Sequence, residues 1–144
     1  MLGKLLLTAD AIALLLGAVI NDYNYTHIFN PRWPPHAKFH GAQTLSLSIV
    51  LGLATLYYTW RSSLFPASAS APPTLARQLN KEYLNTALLT GTIYWLTGLG
   101  SILFPGTDGI DPEFGTPGTF PQLPVFSAFA GLGVLGWLLE TWNV

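Results

Sequence analysis

Four apolar stretches, separated by three turn-rich ones, set the pattern of the chain. They cover residues 2–20, 41–60 (with Pro35 as an earlier start), 84–104 and 125–142. Each comes close to the roughly 20 mostly apolar residues that a helix needs to cross a bilayer. Between them, residues 21–34 carry turn formers and aromatics, and residues 62–80 are rich in Ser, Ala and Pro and read as a flexible linker. Residues 105–124 are rich in Gly and Pro and hold Asp108, Asp111 and Glu113. Pro34-Pro35 is a good helix start, because proline at the first helical position loses no intrahelical bond. The pattern predicts an all-α membrane protein, a four-transmembrane-helix bundle in a single domain over residues 1–144. Asp10 interrupts the first stretch and no small-residue cleavage site follows it, so a retained helix is expected there rather than a signal peptide.

Composition sharpens the class. Half of the 144 residues are hydrophobic and only 9% are charged, against about 25% in a soluble domain. The net charge of −1 and the lack of a basic patch argue against a nucleic-acid partner. With no cysteine in the chain, disulfides, thiol catalysis and zinc–thiolate sites are excluded. Four spans put both termini on one side. Lys4, Arg61, Arg77 and Lys81 share that side, Arg32 and Lys38 the other, so the positive-inside rule places the termini and the middle loop in the cytosol. Asn24-Tyr25-Thr26 is a glycosylation sequon on the opposite face, too close to the first helix to be modified. Glycines at 91, 98 and 100 and at 131, 133 and 136 are expected to let helices approach closely.

Polar residues in the apolar stretches are the candidates for chemistry, because an ionisable group in a membrane is costly unless it faces the bundle interior or water. Asp10 lies mid-helix on one face with Ala13, Gly17 and Asn21. In the second stretch His36, His40, Thr44, Ser48 and Gly52 recur every four residues, flanked by Gln43, and four-residue neighbours share a helix face. Glu82, Thr86, Thr90, Tyr94, Thr97 and Ser101 form a similar array in the third. Two facing polar stripes predict a polar-lined cavity between these helices, although bonds to their own backbone would account for most of the hydroxyls. All three histidines lie between residues 27 and 40, downstream of Asp22 and among Tyr23, Tyr25, Trp33 and Phe39. Histidine titrates near neutrality and a carboxylate can fix its tautomer. His36 and His40 are therefore expected to face the interior as acid–base groups, with Asp22 orienting one of them and His27 secondary. Asn24, Trp33, Phe39, Gln43, Tyr94, Trp95, Asp10 and Glu82 are the expected substrate contacts. On this reading His40→Ala abolishes turnover.

His-x-x-x-His on a helix also suits a metal, which Asp22 or His27 could complete, but no HExxH-type base accompanies the pair and none is expected. Interfacial anchoring explains Trp33, Tyr23, Tyr25, Arg32 and Lys38 and leaves the histidines unexplained. No dinucleotide fingerprint, P-loop, haem motif or nucleophile elbow is visible, so no cofactor is expected.

The run from Asp22 through Asn24, Thr26-His27 and Phe29-Asn30-Pro31-Arg32-Trp33-Pro34-Pro35-His36-Ala37-Lys38-Phe39-His40 to Gln43 resembles a family of small four-helix membrane proteins. Filamentous fungi encode them, often within secondary-metabolite gene clusters. The resemblance extends over the whole chain, with its specificity concentrated in this run. It implies a tailoring step on a polyketide or terpenoid. Small membrane cyclases of fungal terpenoid pathways are a looser comparison. No motif matches theirs residue by residue, and none of their catalytic positions is carried over. The combined expectation is a cofactor-independent cyclase or isomerase acting by acid–base or hydrogen-bond-assisted ring closure, a Diels–Alder closure included. The alternative is a non-catalytic scaffold or metabolite carrier of a biosynthetic complex. The expected partners are a hydrophobic small molecule and membrane lipid, with a homo-oligomer left open.

Overall fold

The computed structural model describes residues 1–68 and 70–142. The chain forms four helices, α1 (Leu2–Asp22), α2 (Pro35–Leu64), α3 (Pro73–Ser101) and α4 (Gln122–Thr141). In an antiparallel ring, α1 packs on α2 and α4, α3 packs on the same two helices, and α1 and α3 touch more lightly across the centre. Cross-helix bonds fix the directions. Lys4 Nζ near the start of α1 donates to Ser63 Oγ at the end of α2. Ser62 Oγ donates to Asn80 Oδ1 near the start of α3, and Trp137 Nε1 near the end of α4 donates to Asn85 Oδ1 on α3. One end of the bundle therefore carries the start of α1, the 65–72 connection and the end of α4. The other carries the 23–34 and 102–121 connections.

α1, α2 and α4 are long and apolar enough to cross a membrane. α3 is diluted by Thr86, Thr90, Thr92, Thr97 and Asn85 and is less apolar. It nevertheless carries the chain from the end where α2 finishes to the end where α4 begins, so it crosses with them. The fold is a four-helix bundle whose apolar helices make it an integral membrane protein. At 30 and 29 residues, α2 and α3 are about 45 Å long, against a hydrocarbon core of about 30 Å. The excess of roughly 15 Å in each is room for tilt or for reach into the headgroups.

The helix bounds depart from the apolar stretches in one place. The 62–80 segment is expected as a linker, yet α2 continues to Leu64 and α3 begins at Pro73. Apolarity marks what lies in lipid, not what is helical. Pro73 occupies the first position of α3, where its missing N–H costs nothing, and Leu75, Ala76, Arg77, Gln78 and Leu79 are good helix formers.

Polar side chains share the interior with apolar ones: Asp10, Ser48, Thr55, Thr59 and Thr92 are all buried. Two small apolar clusters, Leu7 with Leu84 and Ala87, and Leu14 with Trp95 and Ala130, supply the greasy contacts. Between them Ser48 donates to the Leu14 carbonyl at 2.5 Å, and the Thr55 hydroxyl lies 2.9 Å from that of Thr90. Ser48 and the Thr55–Thr90 pair thus close the stripes across helix interfaces in the middle of the bundle, whereas Thr44, Thr86, Thr97 and Ser101 bond carbonyls of their own helices. The polar-lined cavity expected between α2 and α3 lies at one end.

Candidate functional site

A cavity of about 430 Å³ opens at the end of the bundle opposite the termini. That lies within the range of roughly 300–1,000 Å³ typical of small-molecule sites. All four helices and both connections at that end line it. Asp22 comes from the last turn of α1 and His27 from the connection after it. Thr44 and Leu47 come from α2, and Tyr94, Thr97 and Ser101 from α3. Asp108, Phe120, Gln122 and Phe126 come from the third connection and α4. Leu14, Trp95 and Ala130 pack below it, against Tyr94 and Phe126.

His27 is held in one tautomer. The Thr26 hydroxyl lies 2.6 Å from Asn24 Oδ1, which is an acceptor only, so its hydrogen is committed there. His27 Nδ1, 2.7 Å from Thr26 Oγ1, must then donate to that oxygen. The other ring nitrogen, Nε2, faces Asp22 Oδ1 at 3.8 Å, with both side chains half-buried. Trp33 lies edge-on to the imidazole at 5.1 Å. The site therefore holds a carboxylate, an imidazole whose Nε2 is free to exchange a proton, and a phenol, on walls that are otherwise partly apolar.

The two connections above the cavity are clasped together. Trp33 Nε1 donates to Asp111 Oδ2 at 2.9 Å, Arg32 pairs with Glu113 at 2.6 Å, and buried Asn30 donates to Glu113 at 3.1 Å. Asp108 shapes the inner edge, accepting from the Gly109 and Gly118 amides at 2.9 and 2.8 Å. Gly118 has φ +81°, a region open to glycine at no steric cost. At Gly109 a Cβ would meet the Thr119 carbonyl at 2.5 Å. Asp108→Ala therefore loosens residues 106–120 without touching the helices. Limited proteolysis should cut this connection faster in the variant while thermal unfolding of the bundle changes little.

Several expected site residues lie elsewhere. His36 and His40 do not face the interior; both are exposed on α2, and neither lines the cavity that Asp22 enters. Their Nε2 atoms are 3.1 Å apart, and His40 Nδ1 meets Gln43 Oε1 at 3.2 Å. Phe39 is exposed beside them. Asp10 and Trp95 are sealed in the core, with Trp95 Nε1 donating to Asp10 Oδ1 at 2.8 Å, and neither reaches the cavity. Glu82 lies towards the opposite end, with Lys81, Asn85 and Trp137 around a second, more open hollow. Asn24 and Trp33 support His27 rather than line the cavity. Asp22, His27 and Tyr94 are the expected residues that the fold brings together. Missing from the expectation were Thr107, Asp108, Phe120, Gln122 and Phe126. The only sign of them was the cluster of acids among the glycines and prolines of 105–124.

The fold and this end cavity define a four-helix integral membrane protein with a part-polar, part-apolar chamber at one membrane face. The chain belongs to a family described as a family of unknown function (DUF6640), whose model matches residues 6–143. No curated protein and no solved structure matches it.

Proposed function

We propose that the protein is a membrane-embedded cyclase or isomerase that acts without a cofactor on a hydrophobic, oxygen-bearing metabolite, with the end cavity as its active site. The observation that carries this reading is the convergence of Asp22, His27 and Tyr94 on one chamber. Imidazole and carboxylate side by side suit proton abstraction and return. A hydroxyl directed at a developing oxyanion stabilises it. His27 Nε2, with its partner nitrogen tied to Thr26, takes or gives the proton at the substrate carbon. Asp22 holds the imidazolium that results, and Tyr94 donates to a carbonyl oxygen. Leu47, Phe120 and Phe126 hold the hydrocarbon part.

The resemblance to proteins encoded in fungal metabolite clusters supplies the substrate class, a polyketide or terpenoid intermediate, and the endoplasmic reticulum as the membrane. A carrier would need a path through the bundle, whereas the Leu14, Trp95 and Ala130 cluster packs beneath this cavity. That favours the enzyme over the carrier. The test is product analysis in a host that makes the candidate intermediate, with and without the chain. A new or redistributed product supports the reading. Identical product profiles, with the intermediate moved across the membrane or bound to another pathway protein, would give the site to a carrier or scaffold.

The proposed orientation, with the termini and the 65–72 connection cytosolic, follows from the Lys/Arg bias. A cysteine at Ser70 should react with a membrane-impermeant maleimide only after the cytosolic face is exposed. Reaction from the lumenal side alone reverses the orientation and places the cavity mouth in the cytosol.

A further inference from the structure

The geometry points to a second, separate site: His36 and His40 form a two-point chelate for a divalent transition metal of tetragonal preference, such as Cu(II) or Ni(II), on the exposed face of α2. It lies outside the acid–base cavity and does not depend on the function proposed for that cavity.

The pair is built as a ligand pair. The residues are one turn apart, and their Nε2 atoms converge to 3.1 Å. Gln43 Oε1 is an acceptor only, so His40 Nδ1, 3.2 Å from it, is the protonated nitrogen. His40 Nε2 therefore presents a lone pair to its neighbour. Fixing a ligating histidine by an N–H bond from its other nitrogen to an oxygen is the usual support for a metal-bound imidazole. Phe39 holds both rings, stacked on His36 at 6.2 Å and edge-on to His40 at 5.5 Å. The rings meet edge-on at 4.6 Å, so the hydrogen bond between them already holds the two nitrogens at chelating distance before a metal arrives.

The ligand set favours copper. A metal about 2.05 Å from each nitrogen would subtend an angle of about 98° across 3.1 Å, between the right angle of a tetragonal ion and the tetrahedral angle. Structural zinc is held by four protein ligands, whereas two imidazoles with open positions suit Cu(II) or Ni(II), and Cu(II) binds such nitrogen sites most tightly of the three. Among the described residues no three His, Asp or Glu side chains group around a metal position, so water takes the remaining positions on this exposed face. In the metal-free protein the 3.1 Å contact requires a proton on His36 Nε2, since His40 Nε2 has none to give. Binding moves that proton to His36 Nδ1 through solvent, or releases it if the ring was charged, and the freed Nε2 lone pair becomes the second ligand.

The test uses the full chain in nanodiscs with any affinity tag removed, titrated with Cu(II) and, separately, Ni(II) and Zn(II). The expected result is one equivalent of Cu(II) with electron-spin-resonance splitting from two imidazole nitrogens, and weaker Zn(II) binding. His36→Ala and His40→Ala should each cut Cu(II) affinity by more than the roughly tenfold loss expected for Gln43→Leu, which removes only the orienting acceptor. His27→Ala should leave it unchanged. Cu(II) affinity that survives both His36→Ala and His40→Ala, or that falls with His27→Ala instead, overturns the assignment.

Discussion

His27→Ala should reduce product formation by about 10²–10⁴-fold, the usual contribution of a general acid–base group, while His40→Ala leaves it unchanged. The contrast follows from placement. His27 Nε2 opens on the cavity beside Asp22, whereas His40 faces His36 on the outside of α2. Asp22→Asn should fall in the same range, because the amide cannot hold the imidazolium. Tyr94→Phe should cost less if its hydroxyl only polarises the carbonyl. Thr26→Val should cost less again, and in a particular way. It removes the acceptor for His27 Nδ1, so the ring can take the other tautomer and turnover falls without loss of substrate binding. Each variant is compared per mole of protein that elutes as a single folded species in detergent. If His27→Ala is folded and fully active, the acid–base assignment fails. If His40→Ala is the inactive one, the chemistry belongs to the α2 pair, as its spacing alone predicts.

Why the spacing misleads there is a matter of helical phase. Residues 3.6 to a turn advance about 100° each, so a stripe repeating every fourth residue rotates by about 40° per step. The buried positions of α2 are Leu45, Ser48, Gly52, Thr55 and Thr59, alternating threes and fours, which holds a constant face. Counted back from Ser48 in fours, Thr44 has turned about 40° and still reaches the cavity. His40 has turned about 80° and His36 about 120°, onto the exposed side. Shared spacing tells which residues are neighbours and not which way they face. The four helices were legible because the need for apolar length in lipid is local and strong. Asp22 and His27 were legible as candidates because an acid and an imidazole lie five positions apart at a helix end, but Asp22 was expected to orient His36 or His40, and His27 is the one it faces. Asp108, Gln122 and Phe126 were not: Asp108 sits in a connection clasped to one about 80 residues away in the chain, Trp33 to Asp111 and Arg32 to Glu113, and Gln122 and Phe126 arrive with α4 as it packs on α3. The glycines divide in the same manner. Gly91, Gly98, Gly133 and Gly136 sit against neighbouring helices, whereas Gly100 and Gly131 face open space, so the expectation that they share one packing role holds only for the first four.

That division gives the largest expected effects on stability. Gly91→Ala and Gly52→Ala should lower the thermal unfolding midpoint in a fixed detergent by several degrees, while Gly17→Ala, Gly100→Ala and Gly131→Ala should hold or raise it. Alanine gains up to about 1 kcal/mol of helix propensity over glycine in water, and where nothing lies within 4 Å of the new methyl, as at positions 17, 100 and 131, that gain stands alone. At Gly91 the methyl would come 2.5 Å from Asp10 Oδ2 and 3.3 Å from Thr55 Cγ2. At Gly52 it would come 2.8 Å from Leu15 Cγ and 2.9 Å from the Ala11 carbonyl, so backbone must move. Overpacking of this kind costs about 1–3 kcal/mol, and the cost outweighs the propensity. The Asp10 contact also makes the effect separable from a general loss of stability. Asp10→Ala alone leaves the buried Trp95 N–H without its partner, a cost of about 1–3 kcal/mol, but it removes the atom that the methyl at position 91 would strike. The double variant Asp10→Ala, Gly91→Ala should therefore lose less than the sum of the two single losses, whereas Asp10→Ala with Gly109→Ala, whose new methyl meets only Thr119, Phe120 and Gln122, should lose the full sum. Additive losses in both pairs would mean that α1, α3 and α4 do not close around the Asp10 carboxylate, and the account of the bundle centre would fall with them.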